Sequence, residues 1–178
     1  MKVLKFGGSS VGSADNMLIV KKIVESQSDQ VVVVVSAVKG VTDKLQELAM
    51  VAADNDRNFF RIYNEIEKKH LDIINSLFQE PLKSKVLVQI NSLFKELSDI
   101  INGLFLVNDL TLKIKDRILS YGEQLSSYIL SQLIDNCTLI NIKNFIKTNS
   151  DFGSAKVNFK HTNRLLSYRF KTIKKTAV

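Results

Sequence analysis

Five consecutive valines, Val31 to Val35, are the feature that most restricts the fold of this chain. Branched side chains are stiff and fit the pleated backbone of a strand. An unbroken apolar run, without polar residues in alternation, is typical of a strand that is buried on both faces of a parallel sheet. We therefore predict that this run is a core strand of an α/β domain.

A second strand precedes the valine run, and a helix joins the two. The segment KVLKF, residues 2–6, is β-prone and ends at Gly7-Gly8. Strand, helix and strand form a βαβ unit, which sets the class as α/β, with a mostly parallel sheet and flanking helices. The helix is indicated by apolar residues at helical spacing, namely Val11, Ala14, Leu18, Val20, Ile23 and Val24.

The middle of the chain, from about 57 to 134, is predicted to be helical almost throughout. A helix capped by Thr42 or Asp43 precedes it. Pro81 divides two amphipathic helices, because proline fits the first turn of a helix and not its interior. We expect this insert, about 57–108, to form a helical hairpin packed on the rim of the sheet.

The C-terminal part is predicted to return to the sheet. The segment CTLINI, residues 137–142, is expected to be a third core strand, with residues 144–148 extended after it. A turn around 151–154 and a helix over 163–170 follow. The final KKTAV is typical of the start of a further buried strand.

Charge gives little support to nucleic-acid binding. The net charge of the 178 residues is +7, but from Lys156 onward every Asp, Glu, Lys or Arg is basic, which leaves the rest of the chain formally neutral. A basic terminal segment is more often a solvated helix than a nucleic-acid surface. We therefore expect no nucleic-acid partner. The basic residues are Lys156, Lys160, Arg164, Arg169, Lys171, Lys174 and Lys175.

Composition also bears on the compartment. Hydrophobic residues make up 45% of the chain and charged residues 24%, as in a globular domain. The single cysteine, Cys137, can form no internal disulfide. The valine run is far shorter than the ~18 apolar residues that a membrane span needs, and residues 1–11 lack a signal-peptide core. We expect a cytoplasmic protein without a membrane partner.

Polar residues follow the first predicted strand, where ligands of α/β sheets gather. Gly7 and Gly8 let backbone N–H groups approach a phosphate, Lys5 adds a full positive charge, and Ser9 adds a hydroxyl. The same residues also fit a plain strand-to-helix turn capped by Ser9 or Ser10. Short glycine motifs are weak signals, so the local pattern by itself favours the turn.

Polar residues in two further segments fit either a ligand-binding site or an ordinary role in ending a strand or capping a helix. Ser36 follows the valine strand, and Thr42 lies in the same loop, so both would share an edge with the first loop. Ser36 also fits the end of a strand and Thr42 a helix cap. Ser120 and Glu123 fit the S-x-x-E capping box at the start of a helix.

Four segments in one order make the pattern specific. KFGGSSV (5–11), VSAVKGVTDKL (35–45), SYGEQLSS (120–127) and IKTNSDFGSA (146–155) resemble signature segments of the aspartokinases, within the amino-acid kinase family. The chain looks most like the kinase part of fused aspartokinase–homoserine dehydrogenases. The resemblance implies an incomplete amino-acid kinase fold, with residues 1–178 as the N-terminal portion of the kinase domain and the C-terminal half absent.

The resemblance implies a site for ATP at the first loop. There, Lys5, Gly7, Gly8 and Ser9 would contact the phosphates, with Lys5 as the catalytic residue. ATP and Mg²⁺ are the cofactors that it implies, and no protein-held metal site is expected. Catalysis would consist of positioning and of charge neutralisation, because both reactants are anionic.

The resemblance implies L-aspartate as the other substrate, held by Ser36, Thr42 and Glu123, with Glu123 facing the ammonium group. The reaction would transfer the γ-phosphoryl group of ATP to the side-chain carboxylate of aspartate, giving 4-phospho-L-aspartate, the first step toward lysine, threonine and methionine. We expect the isolated chain to be inactive and the full-length parent to be a homo-oligomer. Two alternatives stay open: another amino-acid kinase, of the glutamate or acetylglutamate type, and a non-enzymatic basic binding module.

Overall fold

The computed structural model describes residues 1–171, 173 and 176–178. Within these residues, four strands form one parallel sheet in the order β1-β2-β4-β3, with helices packed around it, so the predicted α/β class is confirmed. The strands are β1 (Lys2–Phe6), β2 (Val31–Val35), β3 (Cys137–Thr138) and β4 (Thr176–Ala177). The helices are α1 (Ala14–Glu25), α2 (Val41–Ala53), α3 (Phe59–Leu77), α4 (Leu82–Val107), α5 (Leu112–Leu133) and α6 (Phe159–Phe170).

The predicted βαβ unit is confirmed. Strands β1 and β2 pair in parallel along their whole length, from Lys2 opposite Val31 to Phe6 opposite Val35. Helix α1 joins them and packs its buried residues into the core. The carboxyl ends of β1 and β2 therefore lie side by side.

The valine strand is buried on one face only, which differs from the prediction. Val31, Val33 and Val35 belong to the hydrophobic core, whereas the side chain of Val34 is 45% exposed and Val32 is half-buried. The second face forms one wall of an open cleft of about 670 Å³. The branched residues thus fix the strand, but the described part of the chain covers just one of its faces.

The predicted helical hairpin is formed by α3 and α4. Proline 81 is the N-cap of α4, so it separates the two helices as expected. The pair packs on α2 and α5 and not on the rim of the sheet. None of the described helices combines the length and the apolar character needed to cross a bilayer.

The third strand is shorter than predicted. Strand β3 ends at Thr138, and a single turn of 3-10 helix follows over Ile142–Asn144. Of the residues expected to be extended at 144–148, Thr148 forms an isolated antiparallel bridge with Val157. The side chain of Asn141 starts the 3-10 turn by accepting a hydrogen bond from the backbone N–H of Lys143, at 3.2 Å. Among the described residues, β3 and β4 pair at Cys137 opposite Thr176 and at Thr138 opposite Ala177, and the N–H of Ile140 donates to the carbonyl of Val178 at 2.7 Å.

The remaining C-terminal elements agree with their predictions. The turn at 151–154 is closed by a hydrogen bond from Ser154 N to Asp151 O, at 3.0 Å. The helix begins at Phe159, earlier than predicted, because the Asn158 side chain caps it. The strand expected at KKTAV is present as β4, whereas its Lys174 and Lys175 lie outside the described residues.

Candidate active site

The two loops that follow β1 and β2 are joined by backbone hydrogen bonds. The N–H of Ser36 donates to the carbonyl of Phe6 at 3.1 Å, and the N–H of Lys39 donates to the carbonyl of Gly8, also at 3.1 Å. The parallel register brings both loops to the same edge of the sheet. The structure therefore brings the predicted phosphate loop and the predicted substrate loop together.

The two glycines of the first loop have different surroundings. A Cβ at Gly8 would lie 2.8 Å from the carbonyl oxygen of Ala37, a distance that excludes any side chain. A Cβ at Gly7 would meet no atom within 4 Å. Gly8 is thus required by the packing of one loop on the other, and the space beside Gly7 is open to a ligand.

The serines of the first loop do not cap α1. The N-cap is Ser13, whose Oγ accepts a hydrogen bond from Asn16 N at 3.3 Å, so the turn capped by Ser9 or Ser10 is wrong in that detail. The backbone carbonyl of Ser9 instead accepts a hydrogen bond from the Asn16 side chain, at 2.8 Å. The exposed hydroxyl of Ser9 is therefore not used by the helix.

Lys5 is exposed near the carboxyl end of β1. It lies opposite Val34 in the parallel register, so the two side chains are on the same face of the sheet, and Val34 lines the open cleft. Within the described part of the chain, the Lys5 ammonium makes no hydrogen bond and no salt bridge. Its charge faces solvent at the edge that the two loops form.

The second loop leads into α2 through a left-handed glycine. Gly40, with φ of 77°, is the N-cap of α2 and provides no side chain, so the predicted cap at Thr42 or Asp43 is wrong. Thr42 is the second residue of α2 and is exposed, which leaves its hydroxyl without a capping role. The ammonium of Lys69, on α3, donates to the carbonyl of Lys39 at 2.6 Å and ties the helical hairpin to this loop.

Glu123 lies in the middle of α5 and faces the second loop. Its Oε1 accepts a hydrogen bond from the backbone N–H of Ala37 at 3.4 Å. Helix α5 begins at Leu112 and is capped by Thr111, so a capping box formed by Ser120 and Glu123 is wrong. The carboxylate is exposed beside the residue that follows Ser36.

Close packing holds α5 against the second loop. A Cβ at Gly122 would lie 2.6 Å from the Cβ of Ala37, so helix and loop approach as closely as the missing side chain permits. The hydroxyl of Ser126 donates to the carbonyl of Ser36 at 2.8 Å. Ser126 was not predicted as a site residue, although it lies on the same helical face as Gly122, four residues earlier.

A third loop reaches the same cleft from β3. The ammonium of Lys143 donates to the hydroxyl of Ser120 at 2.9 Å and lies 5.8 Å from the centre of the Tyr121 ring. Lys143, Ser120 and Glu123 all line the open cleft. No local pattern predicts a site residue at Lys143, because its neighbours in space, Ser120 and Tyr121, lie more than twenty residues earlier in the chain.

Comparison with known proteins identifies a protein family and relatives that this chain resembles. The model of the amino acid kinase family matches residues 1–175. A bifunctional aspartokinase/homoserine dehydrogenase of Buchnera aphidicola is 29% identical over 92% of this chain and 21% of its own length. An aspartokinase of Candida albicans is 26% identical over 84% of this chain and 29% of its own length.

A solved structure has the same fold. The crystal structure of E. coli aspartokinase III in complex with aspartate and ADP superposes with a TM-score of 0.88, at 22% sequence identity. The match covers 99% of this chain and 40% of that chain. The present chain thus spans well under half of the length of these proteins.

Proposed function

Because the chain belongs to the amino acid kinase family, we propose that residues 1–178 are the N-terminal portion of an aspartate kinase domain. The reaction transfers the γ-phosphoryl group of ATP to the side-chain carboxylate of L-aspartate and gives 4-phospho-L-aspartate. One observation supports this most: the loop after β1, the loop after β2 and the carboxylate of Glu123 meet at one edge of the sheet. The similarity to aspartokinases over most of the chain supports the choice of substrate.

The first loop is proposed to bind the phosphates of ATP. The backbone beside Gly7 is open, and no anion among residues 1–171, 173 and 176–178 pairs with the ammonium of Lys5 at the same edge. Gly8 and Ser9 complete the loop. Fixed N–H groups and a positive charge stabilise the negative charge that phosphoryl transfer concentrates, and they are already oriented before the reaction.

The second loop and α5 are proposed to hold aspartate. Glu123 would face the ammonium group, and the hydroxyls of Ser36 and Thr42 would donate hydrogen bonds to a carboxylate. The side-chain carboxylate of aspartate is ionised near pH 7, so the reaction needs no general base. The task of these residues is to bring the carboxylate to the phosphate in the right orientation.

The described residues hold no group of three or more His, Cys, Asp and Glu side chains arranged to bind a metal ion. We therefore assign no Mg²⁺ ligand within this part of the chain. Magnesium belongs to the proposal as part of the substrate, bound to the phosphates of ATP.

The finer parts of the proposal rest on the resemblance to aspartokinases. They are a role at the start of lysine, threonine and methionine biosynthesis, a cytoplasmic location and a homo-oligomeric full-length parent. We also propose that the isolated chain has no kinase activity, since it spans 21% to 40% of the length of the matched proteins.

A chimera tests the proposed activity. Residues 1–178 replace the corresponding part of E. coli aspartokinase III, and the acyl phosphate formed from ATP and aspartate is trapped with hydroxylamine. We expect turnover with L-aspartate and none with L-glutamate or N-acetylglutamate. Turnover with one of the other acids, and not with aspartate, would favour the alternative amino-acid kinase.

Two lysines of β1 provide a matched pair in the same chimera. Lys5→Ala should lower kcat far more than it changes KM for aspartate, because Lys5 is assigned to the phosphates. Lys2→Ala should leave both constants unchanged, since Lys2 pairs with Asp29 at the other end of the strand. Equal effects of the two substitutions would remove the assignment of Lys5.

A further inference from the structure

The turn that leads into α2 is held from two sides. A backbone hydrogen bond of 2.9 Å closes this four-residue turn over residues 38–41. On one side, the N–H of Lys39 donates to the carbonyl of Gly8 in the first loop, at 3.1 Å. On the other side, the carbonyl of Lys39 accepts a hydrogen bond from the ammonium of Lys69 on α3, at 2.6 Å. The first loop, the second loop and the helical hairpin therefore meet at Lys39.

Backbone angles identify this turn as type II. Its third residue, Gly40, has φ of 77° and ψ of −2°, and its second residue, Lys39, is not among the non-glycine residues with positive φ. Types II and I differ mainly in the orientation of the central peptide group, here the one between Lys39 and Gly40. Glycine at the third position is compatible with both types, because it has no Cβ. The residues of the turn by themselves therefore do not fix the orientation of that peptide group.

Lys69 is placed to select one of the two orientations. Because a trans peptide group is planar, the carbonyl of Lys39 and the N–H of Gly40 point in opposite directions. The hydrogen bond from Lys69 keeps the carbonyl on the side of α3, so the N–H is directed away from α3. Among the described residues, that N–H has no hydrogen-bond partner. Rotation into a type I turn would break the bond to Lys69 and reverse both groups.

Helix α3 gives this lysine a firm base. Lys69 directly precedes His70, which is fully buried, and Ile66, about one turn earlier, is fully buried as well. Glu65 of α3 also forms a salt bridge with Lys44 of α2, the helix that the turn begins. A hydrogen bond from a charged donor is stronger than one between neutral groups. The bond from Lys69 to the turn therefore joins two elements that are already packed together.

We propose that Lys69 is a positioning residue: it locks the turn over residues 38–41 in the type II form and keeps the carbonyl of Lys39 away from the edge where the proposed substrates bind. This inference rests on the proposed function, in which Ser36 and Thr42 of the second loop hold an anionic substrate. A carbonyl oxygen carries a partial negative charge, so a carbonyl turned toward that substrate would repel it. The helical hairpin thereby prepares the site through the turn.

NMR of the 178-residue chain tests the lock directly. In a type II turn the Hα of Lys39 lies close to the amide hydrogen of Gly40, whereas in a type I turn the two amide hydrogens lie close to each other. We expect a strong NOE between Hα of Lys39 and the amide of Gly40 in the wild-type chain. Lys69→Met should weaken it and add an NOE between the two amides, and Lys69→Arg should keep the wild-type pattern. An undiminished type II pattern in Lys69→Met would overturn the inference.

Two further variants are controls for the turn. Lys68 is exposed on α3 and makes no hydrogen bond or salt bridge within the described part of the chain, so Lys68→Met should keep the type II pattern. Gly40→Ala meets no atom within 4 Å, but alanine disfavours a φ of 77° and should produce the type I pattern. Should Lys69→Met fail to fold, the wild-type chain itself decides, because a type I pattern there would overturn the inference.

The chimera with E. coli aspartokinase III gives the kinetic test. A turn that is only partly in the competent form weakens apparent substrate binding, and saturating substrate restores that form. Lys69→Met should therefore raise KM for aspartate about three- to tenfold and leave kcat unchanged. Lys69→Arg and Lys68→Met should keep the KM of the parent chimera. Damage to the fold would instead lower kcat, so an unchanged KM, with or without a lower kcat, would overturn the role of Lys69.

The outcomes separate this inference from the proposed function. A chimera that turns over aspartate and is insensitive to Lys69→Met would leave the proposed function intact and remove the role of Lys69. A chimera without turnover of aspartate would remove the proposed function and, with it, the role of Lys69 in substrate binding. In that case the NOE pattern of the 178-residue chain still decides whether Lys69 locks the turn.

Discussion

Residues 41–133 and residues 137–171 differ sharply in how their apolar side chains are used. Helices α2 to α5 bury a continuous apolar face, and most of the largest fully buried side chains belong to them. In the second region most apolar side chains are exposed, among them Leu139, Ile142, Ile146, Phe152, Val157, Phe159 and Tyr168. A long helical segment brings its own packing partners, whereas short elements depend on whatever another part of the chain provides.

The largest contrast is expected between two phenylalanines. Phe94 is 1% exposed and packs edge-on against Tyr63 and His70, with ring centres 5.9 and 5.7 Å away. Phe94→Ala should lower the free energy of unfolding by about 3–5 kcal/mol, through lost burial and a cavity. Phe159→Ala, at a side chain 69% exposed, should change it by about 0.5 kcal/mol or less. Urea denaturation measures both, and similar losses would erase the contrast.

A buried histidine should make the packed region sensitive to acid. His70 is fully buried in α3, its Nδ1 lies 2.7 Å from the carbonyl of Ile66, and its Nε2 has no hydrogen-bond partner among the described residues. Burial lowers the pKa of His70 to about 4, and Lys69 adds to the effect, against the opposing hydrogen bond to Ile66.

The sign of the effect follows from the lowered pKa. Between pH 6.5 and about 4 the unfolded chain takes up a proton at His70 that the folded chain does not, so stability falls as the pH falls. The loss over this range should be about 3 kcal/mol. Unfolding free energies of the wild-type chain and of His70→Leu, measured from pH 7 to pH 4, check it. A loss of the same size in His70→Leu would assign the acid sensitivity to other groups.

A pair of glycines separates close packing from helix propensity. Gly122→Ala should lower the free energy of unfolding by about 1–3 kcal/mol, because the new Cβ would overlap that of Ala37. Gly103→Ala, on α4, meets no atom within 4 Å and should raise it by up to about 1 kcal/mol, since alanine favours the helix. Thermal unfolding of both variants is the measurement, and two changes of the same sign would contradict the packing of α5 on the second loop.

The sequence predicts the long, regular elements of the fold better than the short elements of residues 137–171. The valine strand, the βαβ unit and the helical hairpin are predicted, because long runs of one residue class or regular apolar spacing identify them. The strand expected at 137–142 is mostly absent, because the apolar character of these six residues does not reveal that the Asn141 side chain starts a turn at Ile142. The exposed second face of the valine strand is unpredicted, because an apolar run does not show which elements pack on each of its faces.

In the candidate site, the sequence predicts residues that a neighbouring strand positions, and it fails for residues that distant parts of the chain position. The sequence places Lys5 correctly near the end of a strand and Gly7 and Gly8 directly after it, since each lies in or next to the strand that positions it. It assigns Glu123 to a helix start, whereas the structure puts it in mid-helix beside Ala37. The position of Lys143 depends on how residues far apart in sequence pack together, which no local pattern records.

A further prediction concerns the junction of the two regions. Cys137, in β3, is half-buried, and burial raises the pKa of its thiol to about 11, against an opposing backbone hydrogen bond to Val178. Alkylation by iodoacetamide at pH 8 should be about 100-fold slower in the folded chain than after unfolding, because the thiolate is the reactive form. Equal rates would mean that the pairing of β3 with β4 opens freely.

Amide NMR of the 178-residue chain during titration with L-aspartate and with ATP tests whether the two loops and α5 form one site. We expect L-aspartate to shift the amides of residues 36–40 and 120–127, with Ala37 among the largest because its N–H donates to Glu123. ATP should shift residues 7–10. Shifts confined to the basic residues of α6, or no saturable shifts with either ligand, would contradict a substrate site at this edge of the sheet.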